Sequence, residues 1–378
     1  MTGHAFIDIH ILQTVPPANL NRDDQGNPKE AQFGGVRRSR VSSQAWKRAT
    51  RKHFAERVPE TDLGTRTKRI ANELAKRIGK RTDIEEEKAV RLGNAVAARL
   101  GISTGKKAGD TAYLLFVGNR QLDNVVDLVA DRASELTDLD DKALTTAIEE
   151  LPVVAQFAAG HPIDVAIFGR MVAEIPALNV DAAVQVAHAL STHAAELEFD
   201  YFTAVDDQNE RGETGAGMIG TIGFNSATLY RYATIGLDQL RANLGEIEAA
   251  LEAVDLFVDS FARSVPTGYG NSFAHRTLPS LAAVVVRQDQ PVNLVSAFEK
   301  PVASPRGGIA ELSARRLADE HLRSIAQWGD VPAYTAAAHA FTSDADTAPQ
   351  LTEAFGEPVS FPELRAGLLE HLRGIVAE

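Results

Sequence analysis

An arginine-rich stretch that leads directly into an amphipathic helix is the feature that most constrains how this chain can fold. Three arginines precede Ser42, which is a good N-cap, and we expect a helix from about Ser43 to Arg57. On such a helix, side chains four positions apart lie on the same face. The cations therefore form one stripe, which consists of Lys47, Arg48, Arg51 and Lys52. The opposite side is expected to carry Ala45, Trp46, Ala49, His53 and Phe54.

A stripe of like charges destabilises an isolated helix, so its presence suggests an anion that relieves the repulsion. The unpaired N–H groups of the first helical turn favour the same charge, and Ser42, Ser43 and Gln44 stand at that turn. The pattern predicts a site for the backbone phosphates of a nucleic acid. A solvated basic face with an ordinary serine cap is the alternative that the pattern leaves open.

The charge of the chain is distributed unevenly. Its formal net charge is −12 at neutral pH, which taken alone argues against a nucleic-acid partner. Residues 1–110, however, hold 22 lysines and arginines against 13 aspartates and glutamates, so the rest of the chain is strongly acidic. The first part is therefore suited to an anion, and the acidic remainder could dock onto the next copy in a self-assembling chain.

The composition excludes several classes of protein. With 378 residues, of which 44% are hydrophobic, the chain should form two or three packed units or one large elaborated domain. It has no cysteine, which excludes disulfides and thiolate chemistry and fits a reducing compartment. We find no signal-peptide pattern and no run of ~20 apolar residues, so we expect a cytoplasmic protein without a membrane partner.

Periodicity predicts a mixed α+β fold. Phe6–Leu12 alternates isoleucines with Asp8 and His10, which is typical of a half-buried strand. Further strands are expected at Thr228–Ile235 and Leu281–Arg287, and helices at Val180–Leu197 and Leu237–Phe261. Two charged helical regions, 61–99 and 123–150, flank a flexible break at Gly101–Gly109 and suggest a helical insertion. Two long loops are expected, at Val15–Gln32 and Asp206–Gly223.

No motif demands catalysis or a metal. Gly215–Gly220 fits the GxGxxG pattern, but it follows an acidic stretch and not a strand. His188 and His193 have the wrong spacing for two ligands on one helical face. We therefore expect no catalytic residue, no metal and no cofactor. Tyr201 and Phe202 could stack on bases or could anchor a loop, and the sequence does not separate these readings.

Several stretches occur in a characteristic order over roughly residues 5–300: Leu20–Asp24, Phe33–Gly35, Arg37–Lys52, His188–His193, Tyr201–Asp207, Leu229–Ala233 and Ala297–Lys300. Together they resemble the CasC-type subunit that forms the backbone of the type I-E CRISPR surveillance complex, Cascade. The resemblance implies a modified RRM-type (ferredoxin-like) palm, a helical fingers insertion and a β-hairpin thumb. The implied boundaries are palm 1–58, fingers 59–180, a palm helix 181–199, thumb 200–224 and palm 225–378.

The resemblance also implies a function. Several copies would assemble along CRISPR RNA (crRNA), hold its phosphates and present the guide for pairing with target DNA, together with other Cascade subunits. The chain itself would not be an enzyme. The residues implied to contact RNA are Arg22, Lys29, Arg38, Ser42, Gln44, Lys47, Arg48 and Arg51, with Tyr201 and Phe202 near a displaced base and Met171 as a wedge.

Two alternative functions remain open at the level of sequence. One is a ribonuclease that processes the guide RNA, with His53 or His10 as general base. The other is a scaffold that touches only protein, in which the basic helix meets an acidic surface of a neighbouring copy.

Overall fold

A computed structural model describes all residues except 1–3, 103–104, 106–109, 206–215, 304–307 and 378. The fold is mixed α+β with an antiparallel sheet, which confirms the predicted class. The chain forms two compact units. The first unit comprises residues up to His53, Gln185–Gly236 and Val254 onward, and the second comprises Phe54–Val184 and Leu237–Ala253. The sequence had placed Leu237–Ala253 in the palm.

The strands of the described residues are β1 (Phe6–Ala18), β2 (Glu30–Phe33), β3 (Val36–Val41), β4 (Gly64–Thr67), β5 (Leu115–Gly118), β6 (Val184–Val186), β7 (Ala189–Ser191), β8 (Glu198–Val205), β9 (Ala216–Gly236), β10 (Leu281–Arg287) and β11 (Tyr334–His339). The α-helices are α1 (Ser43–Phe54), α2 (Ile70–Arg81), α3 (Glu86–Ala98), α4 (Asn119–Ala130), α5 (Ala133–Asp138), α6 (Asp141–Glu149), α7 (Val153–Ala158), α8 (Ile163–Phe168), α9 (Leu237–Leu244), α10 (Ile247–Arg263), α11 (Gly270–Phe273), α12 (Ile309–Trp328), α13 (Thr347–Phe355) and α14 (Phe361–Ala377).

The sheet of the first unit is antiparallel and runs in the order β11-β10-β1-β9-β7-β3-β2. The long strand β9 has two parts with different partners. Asn225–Gly236 pairs with β1, whereas Ala216–Phe224 pairs with β8. The β8–β9 pair is a hairpin at the position expected for the thumb. Residues Ala216–Gly223, predicted as loop, are therefore strand, and the rest of that predicted loop, 206–215, lies outside the described residues. Of the expected break Gly101–Gly109, residues 103–104 and 106–109 also lie outside the described residues.

The predicted strand at Phe6–Leu12 is present, but it is buried on both faces. Asp8 and His10, expected on a wet face, have no exposed surface. The Asp8 carboxylate is satisfied inside the protein, whereas among the described residues His10 has a hydrogen-bond partner at Nδ1 and none at Nε2. Asp8 accepts hydrogen bonds from Arg287 Nε at 3.0 Å and from the Tyr232 hydroxyl at 2.7 Å, and His10 Nδ1 lies 2.9 Å from the Tyr230 hydroxyl. The alternation of polar and apolar residues thus predicted the strand correctly. The prediction that one face of this strand is exposed to solvent was wrong.

The predicted palm helix at 181–199 is wrong. That segment contains β6, β7 and the start of β8, joined by irregular backbone. Its apolar run is explained by sheet pairing, since β7 lies between β3 and β9. Short apolar runs do not distinguish a buried strand from a helix, and here the sheet decided the outcome.

The second unit has its own core, built by helices at the predicted helical insertion. Buried side chains of α2, α3 and α4 contribute about half of it, including Leu74, Leu92 and Val125. Helices α2 and α3 approach closely at Gly93. A Cβ atom at that position would lie 2.8 Å from the Ala71 carbonyl oxygen, so this contact between helices requires glycine.

Candidate nucleic-acid interface

Helix α1 begins as the sequence predicts. The Ser42 hydroxyl accepts a hydrogen bond from the Ala45 N–H at 3.3 Å, which confirms Ser42 as the N-cap. The Ser42 N–H donates in turn to Asn21 Oδ1 at 2.9 Å, so the first long loop is tied to the start of the helix. The helix ends at Phe54, slightly earlier than expected.

The buried face of α1 differs from the predicted one. It consists of Trp46, Thr50, His53 and Phe54. Thr50 lies 3.3 Å from the Ser264 hydroxyl and His53 Nδ1 lies 3.0 Å from the Ser260 hydroxyl, so two polar side chains are accommodated there. Ala45 and Ala49, expected on this face, are only partly buried and line a cleft instead.

Beneath α1, Arg231 stacks its guanidinium on Trp46, 3.7 Å from the ring centroid. The side chain is fully buried and donates to Gln13 Oε1 at 2.6 Å and to the Phe261 carbonyl. Burial lowers the pKa of Arg231 to about 9. A cation thus contacts the buried face of α1, while Arg48 and Lys52 lie on its exposed face.

The outer face of α1 borders a cleft of about 680 Å³, which we call the α1 cleft. It is lined by Leu20, Asn21, Arg22, Lys29, Ser42, Gln44, Ala45, Arg48, Ala49, Lys52 and Pro266–Tyr269. Four of these residues are cations, and none of the residues that line the cleft in the described chain is acidic. Such a surface has a positive potential that favours a polyanion.

The α1 cleft brings together five of the residues that the resemblance assigns to RNA. They are Arg22, Lys29, Ser42, Gln44 and Arg48. Lys52 joins them, whereas Lys47 and Arg51 are half-buried and lie outside the lining. The single stripe that the helix pattern predicts is therefore divided, and only its Arg48–Lys52 side faces the cleft.

The first long loop is more ordered than its sequence suggests. Strand β1 continues through Ala18, and the Asp23 carboxylate accepts hydrogen bonds from the Gln25 and Asn27 N–H groups, each at 2.9 Å. The Lys29 N–H donates to the Asn21 carbonyl at 2.8 Å. These bonds form a compact turn that carries Arg22 and Lys29 to the cleft.

The structure corrects the assignment of Arg38. This side chain has no exposed surface, and its guanidinium donates to the carbonyls of Phe33, Ser191, Phe298 and Glu299 at 2.8–3.1 Å. Burial, and to a smaller extent Arg316, lowers its pKa. Arg38 joins strand β3 to two neighbouring segments, and its side chain has no exposed surface for a phosphate in this conformation.

The aromatic residues of the β8–β9 hairpin lie on different faces. Phe202 packs against Gly220, where an added Cβ atom would lie 2.4 Å from the ring. Tyr201 is 63% exposed, and Phe199, on the same face, is 61% exposed. The sequence had selected the adjacent pair Tyr201 and Phe202, but strand geometry separates them and makes Phe199 the partner of Tyr201.

Met171 belongs to the second unit and is 82% exposed. The preceding residue, Arg170, is buried and donates to the carbonyls of Leu178 at 2.6 Å and Phe157 at 2.7 Å. Burial lowers the pKa of Arg170 to about 10. The exposed methionine is therefore presented by a segment that is anchored from below.

The histidines considered as general bases lie away from the cleft surface. His10 is fully buried in the sheet, and its pKa is lowered well below the usual value, chiefly by burial. His53 lies on the buried face of α1.

In the part of the chain that the structure describes, no cluster of three or more histidine, aspartate or glutamate side chains could hold a metal. No described helix is both long and apolar enough for a bilayer.

Sequence reasoning missed Tyr269, which lines the α1 cleft from the loop after α10. The available signal is local: Tyr269 stands between Gly268 and Gly270 in a segment without helical or strand periodicity. Tyr269 is far from Arg22 along the chain, so the sequence did not reveal that they are in contact. In the fold, the Arg22 guanidinium carbon lies 4.7 Å from the centroid of the Tyr269 ring.

Comparison with known proteins gives consistent matches over almost the whole chain. Residues 7–366 match the family model described as CT1975-like protein, a model of CRISPR-associated proteins. A chain of a solved "CRISPR RNA-guided surveillance complex, pre-nicking" is 32% identical, with a TM-score of 0.80, covering 97% of this chain and 99% of that one. A chain of a second "CRISPR RNA-guided surveillance complex" is 30% identical, with a TM-score of 0.71 and the same coverage. No curated protein matches.

Proposed function

Because this chain belongs to the CT1975-like family of CRISPR-associated proteins, we propose that it is a non-catalytic backbone subunit of a type I-E surveillance complex. Several copies assemble along crRNA in the cytoplasm, together with the other subunits, and present the guide for pairing with target DNA. The resemblance of the sequence and the similarity to chains of two solved surveillance complexes support this role.

The observation that carries the proposal is the α1 cleft. Its lining contains the cations Arg22, Lys29, Arg48 and Lys52 and, among the residues that the structure describes, no acid. The first turn of α1 opens at the same cleft, through Ser42 and Gln44, and its N–H groups favour an anion. Cations and N–H groups contact the phosphates of a single strand without reading its bases, so binding is independent of sequence and base pairing supplies specificity.

The hairpin and the second unit supply contacts of a different kind. Phe199 and Tyr201 present exposed rings on one face of the β8–β9 hairpin, and Met171 presents an exposed apolar side chain. Exposed rings stack on unpaired bases regardless of their identity. We assign these residues to bases of the guide and the α1 cleft to its backbone.

The test is RNA affinity as a function of salt concentration for wild type and the Arg48→Ala/Lys52→Ala variant. We expect weaker binding to every guide sequence, and a slope of log K against log salt reduced by about 1.4, for two lost phosphate contacts on a single strand. Lys76→Ala/Lys80→Ala is the matched control, because it also removes two exposed cations four residues apart on a helix.

An unchanged slope in the Arg48/Lys52 variant would contradict the cleft as the RNA site. The ribonuclease alternative is tested with the same proteins. Incubation of wild type with precursor RNA should leave the RNA intact, since both candidate histidines are buried, and cleavage that survives purification would favour the enzyme.

A further inference from the structure

Tyr269 and Arg22 form a cation–π pair in the lining of the α1 cleft. The Arg22 guanidinium carbon lies 4.7 Å from the centroid of the Tyr269 ring, and both residues line the cleft. Arg22 is exposed and Tyr269 is partly buried. The ring therefore covers one side of the guanidinium, and Arg22 keeps exposed surface at the cleft that it lines.

The backbone that carries Tyr269 is held in an unusual conformation. Tyr269 has φ 46° and ψ 33°, in the left-handed region that non-glycine residues seldom adopt. The preceding Gly268 lies so close to the first loop that an added Cβ atom would be 2.2 Å from the Asn19 carbonyl oxygen. The loop is thus pressed against the segment that leads to Arg22, which brings ring and guanidinium together.

Aromatic packing fixes the ring from the other side. Tyr269 contacts Phe273 edge-on, with centroids 6.5 Å apart, and Phe273 lies 5.8 Å from Phe224 in β9. His275 Nε2 lies 2.9 Å from the Pro266 carbonyl oxygen across the same loop. A tyrosine whose position is determined by both backbone and side-chain contacts is preorganised for a ligand, because little freedom is left to lose on binding.

We propose that the Arg22–Tyr269 pair is a stacking platform for one nucleobase of the bound single-stranded RNA. This inference rests on the proposed function and changes the role of Arg22, which would act through its planar face and not only as a charge near a phosphate. Bases stack on aromatic rings and on arginine guanidinium planes without sequence preference. The other cations of the cleft hold the neighbouring phosphates.

The decisive variant is Arg22→Lys, which keeps the positive charge and removes the planar guanidinium. If the pair is a platform, Arg22→Lys and Tyr269→Leu each weaken RNA binding by roughly 5- to 150-fold, the range for loss of one stacked base. Tyr269→Phe keeps the ring and binds as wild type does. The slope of log K against log salt stays unchanged in all three, because no cation is lost.

The position of the base is tested with guides that carry 2-aminopurine at one position each, since stacking quenches its fluorescence. We expect a quenched position in wild type whose fluorescence recovers in both Arg22→Lys and Tyr269→Leu. Melting temperatures of the free variants show whether they fold. Should Tyr269→Leu fail to fold, the exposed Arg22→Lys variant decides the question alone.

Wild-type affinity and unchanged quenching in Arg22→Lys would overturn the platform. The proposed function would still hold after that result, provided that Arg48→Ala/Lys52→Ala reduced the slope of log K against log salt. Absence of salt-dependent RNA binding by the wild type would overturn both. The two hypotheses therefore fail in different experiments.

Discussion

The α1 cleft in the first unit and a groove along α2 in the second unit contain the same number of cations and differ in their acids. The α2 groove is lined by Lys76, Arg77, Lys80 and Arg81, and also by Glu60, Glu73, Asp123 and Asp127. Arg77 lies 2.5 Å from Asp123 and Arg81 2.7 Å from Asp127. The α1 cleft has no carboxylate in its lining among the described residues.

The difference shows that the number of basic residues in a segment does not identify an anion site. Cations in the α2 groove are neutralised within the protein, and exposed ion pairs of this kind contribute only about 0–1 kcal/mol to stability. The described residues that line the α1 cleft include no acidic neighbour of its cations, so the field of these cations extends into the cleft. Only the tertiary fold determines which basic helix faces acids.

The two units also differ in what they bury. The sheet of the first unit encloses an ion pair between Asp8 and Arg287, both without exposed surface, and Arg287 also pairs with Asp330. Burial raises the pKa of Asp8. The hydrogen bonds from the Val292 N–H and the Tyr232 hydroxyl act in the opposite direction and offset only part of this rise. The core of the second unit is a large cluster of aliphatic side chains with Phe157.

The largest loss of folding stability is expected from Arg287→Met, because this substitution leaves Asp8 buried without its cation. Removal of one partner of a buried ion pair costs about 3–5 kcal/mol, whereas Arg81→Met in the second unit should cost less than about 1 kcal/mol. Urea unfolding of both variants measures the difference. Equal midpoints would contradict the contrast between buried and exposed pairs.

Acid should destabilise the first unit through its buried histidines. His321 on α12 is fully buried and stacks on Phe355, with ring centroids 4.8 Å apart, and burial followed by the charge of Arg287 lowers its pKa to about 4. Between pH 6.5 and about 4 the unfolded chain binds a proton that the folded chain does not. Stability therefore falls as pH falls, by roughly 2 kcal/mol between pH 7 and 5.

His321→Leu should remove this part of the pH dependence, as measured by urea unfolding at pH 7 and pH 5. The pKa of His10 is also lowered, so a residual dependence of the same sign is expected. A variant that loses as much stability as wild type on acidification would show that His321 does not carry the effect.

The smallest expected effect is a change in RNA affinity when the acids of the α2 groove are neutralised, so that the groove becomes cationic. Asp123→Asn/Asp127→Asn removes the partners of Arg77 and Arg81 and keeps the shape of the groove. RNA affinity should rise by a few-fold at low salt and return to the wild-type value at high salt, where exposed charges are screened. No gain at low salt would show that more than charge distinguishes the α1 cleft.

The sequence predicted the local features of the site well, because they depend on neighbours in the chain. The Ser42 cap and the cationic face at Arg48 and Lys52 follow from helix geometry. The role of Arg38 did not follow, since its acceptors include Ser191 and Phe298, which only the sheet brings near. Tyr269 was missed for the same reason.

By itself, the sequence determined the mixed fold and the start and amphipathic character of α1, because capping and periodicity act over a few residues. The family followed from the resemblance of several ordered stretches. Tertiary structure alone decided that 181–199 pairs as strands, that Asp8 and His10 are buried, and which cations face the cleft. Those outcomes depend on partners far apart in the chain. Burial and ionic pairing depend on the groups around a side chain, and local sequence does not specify which groups the fold places there.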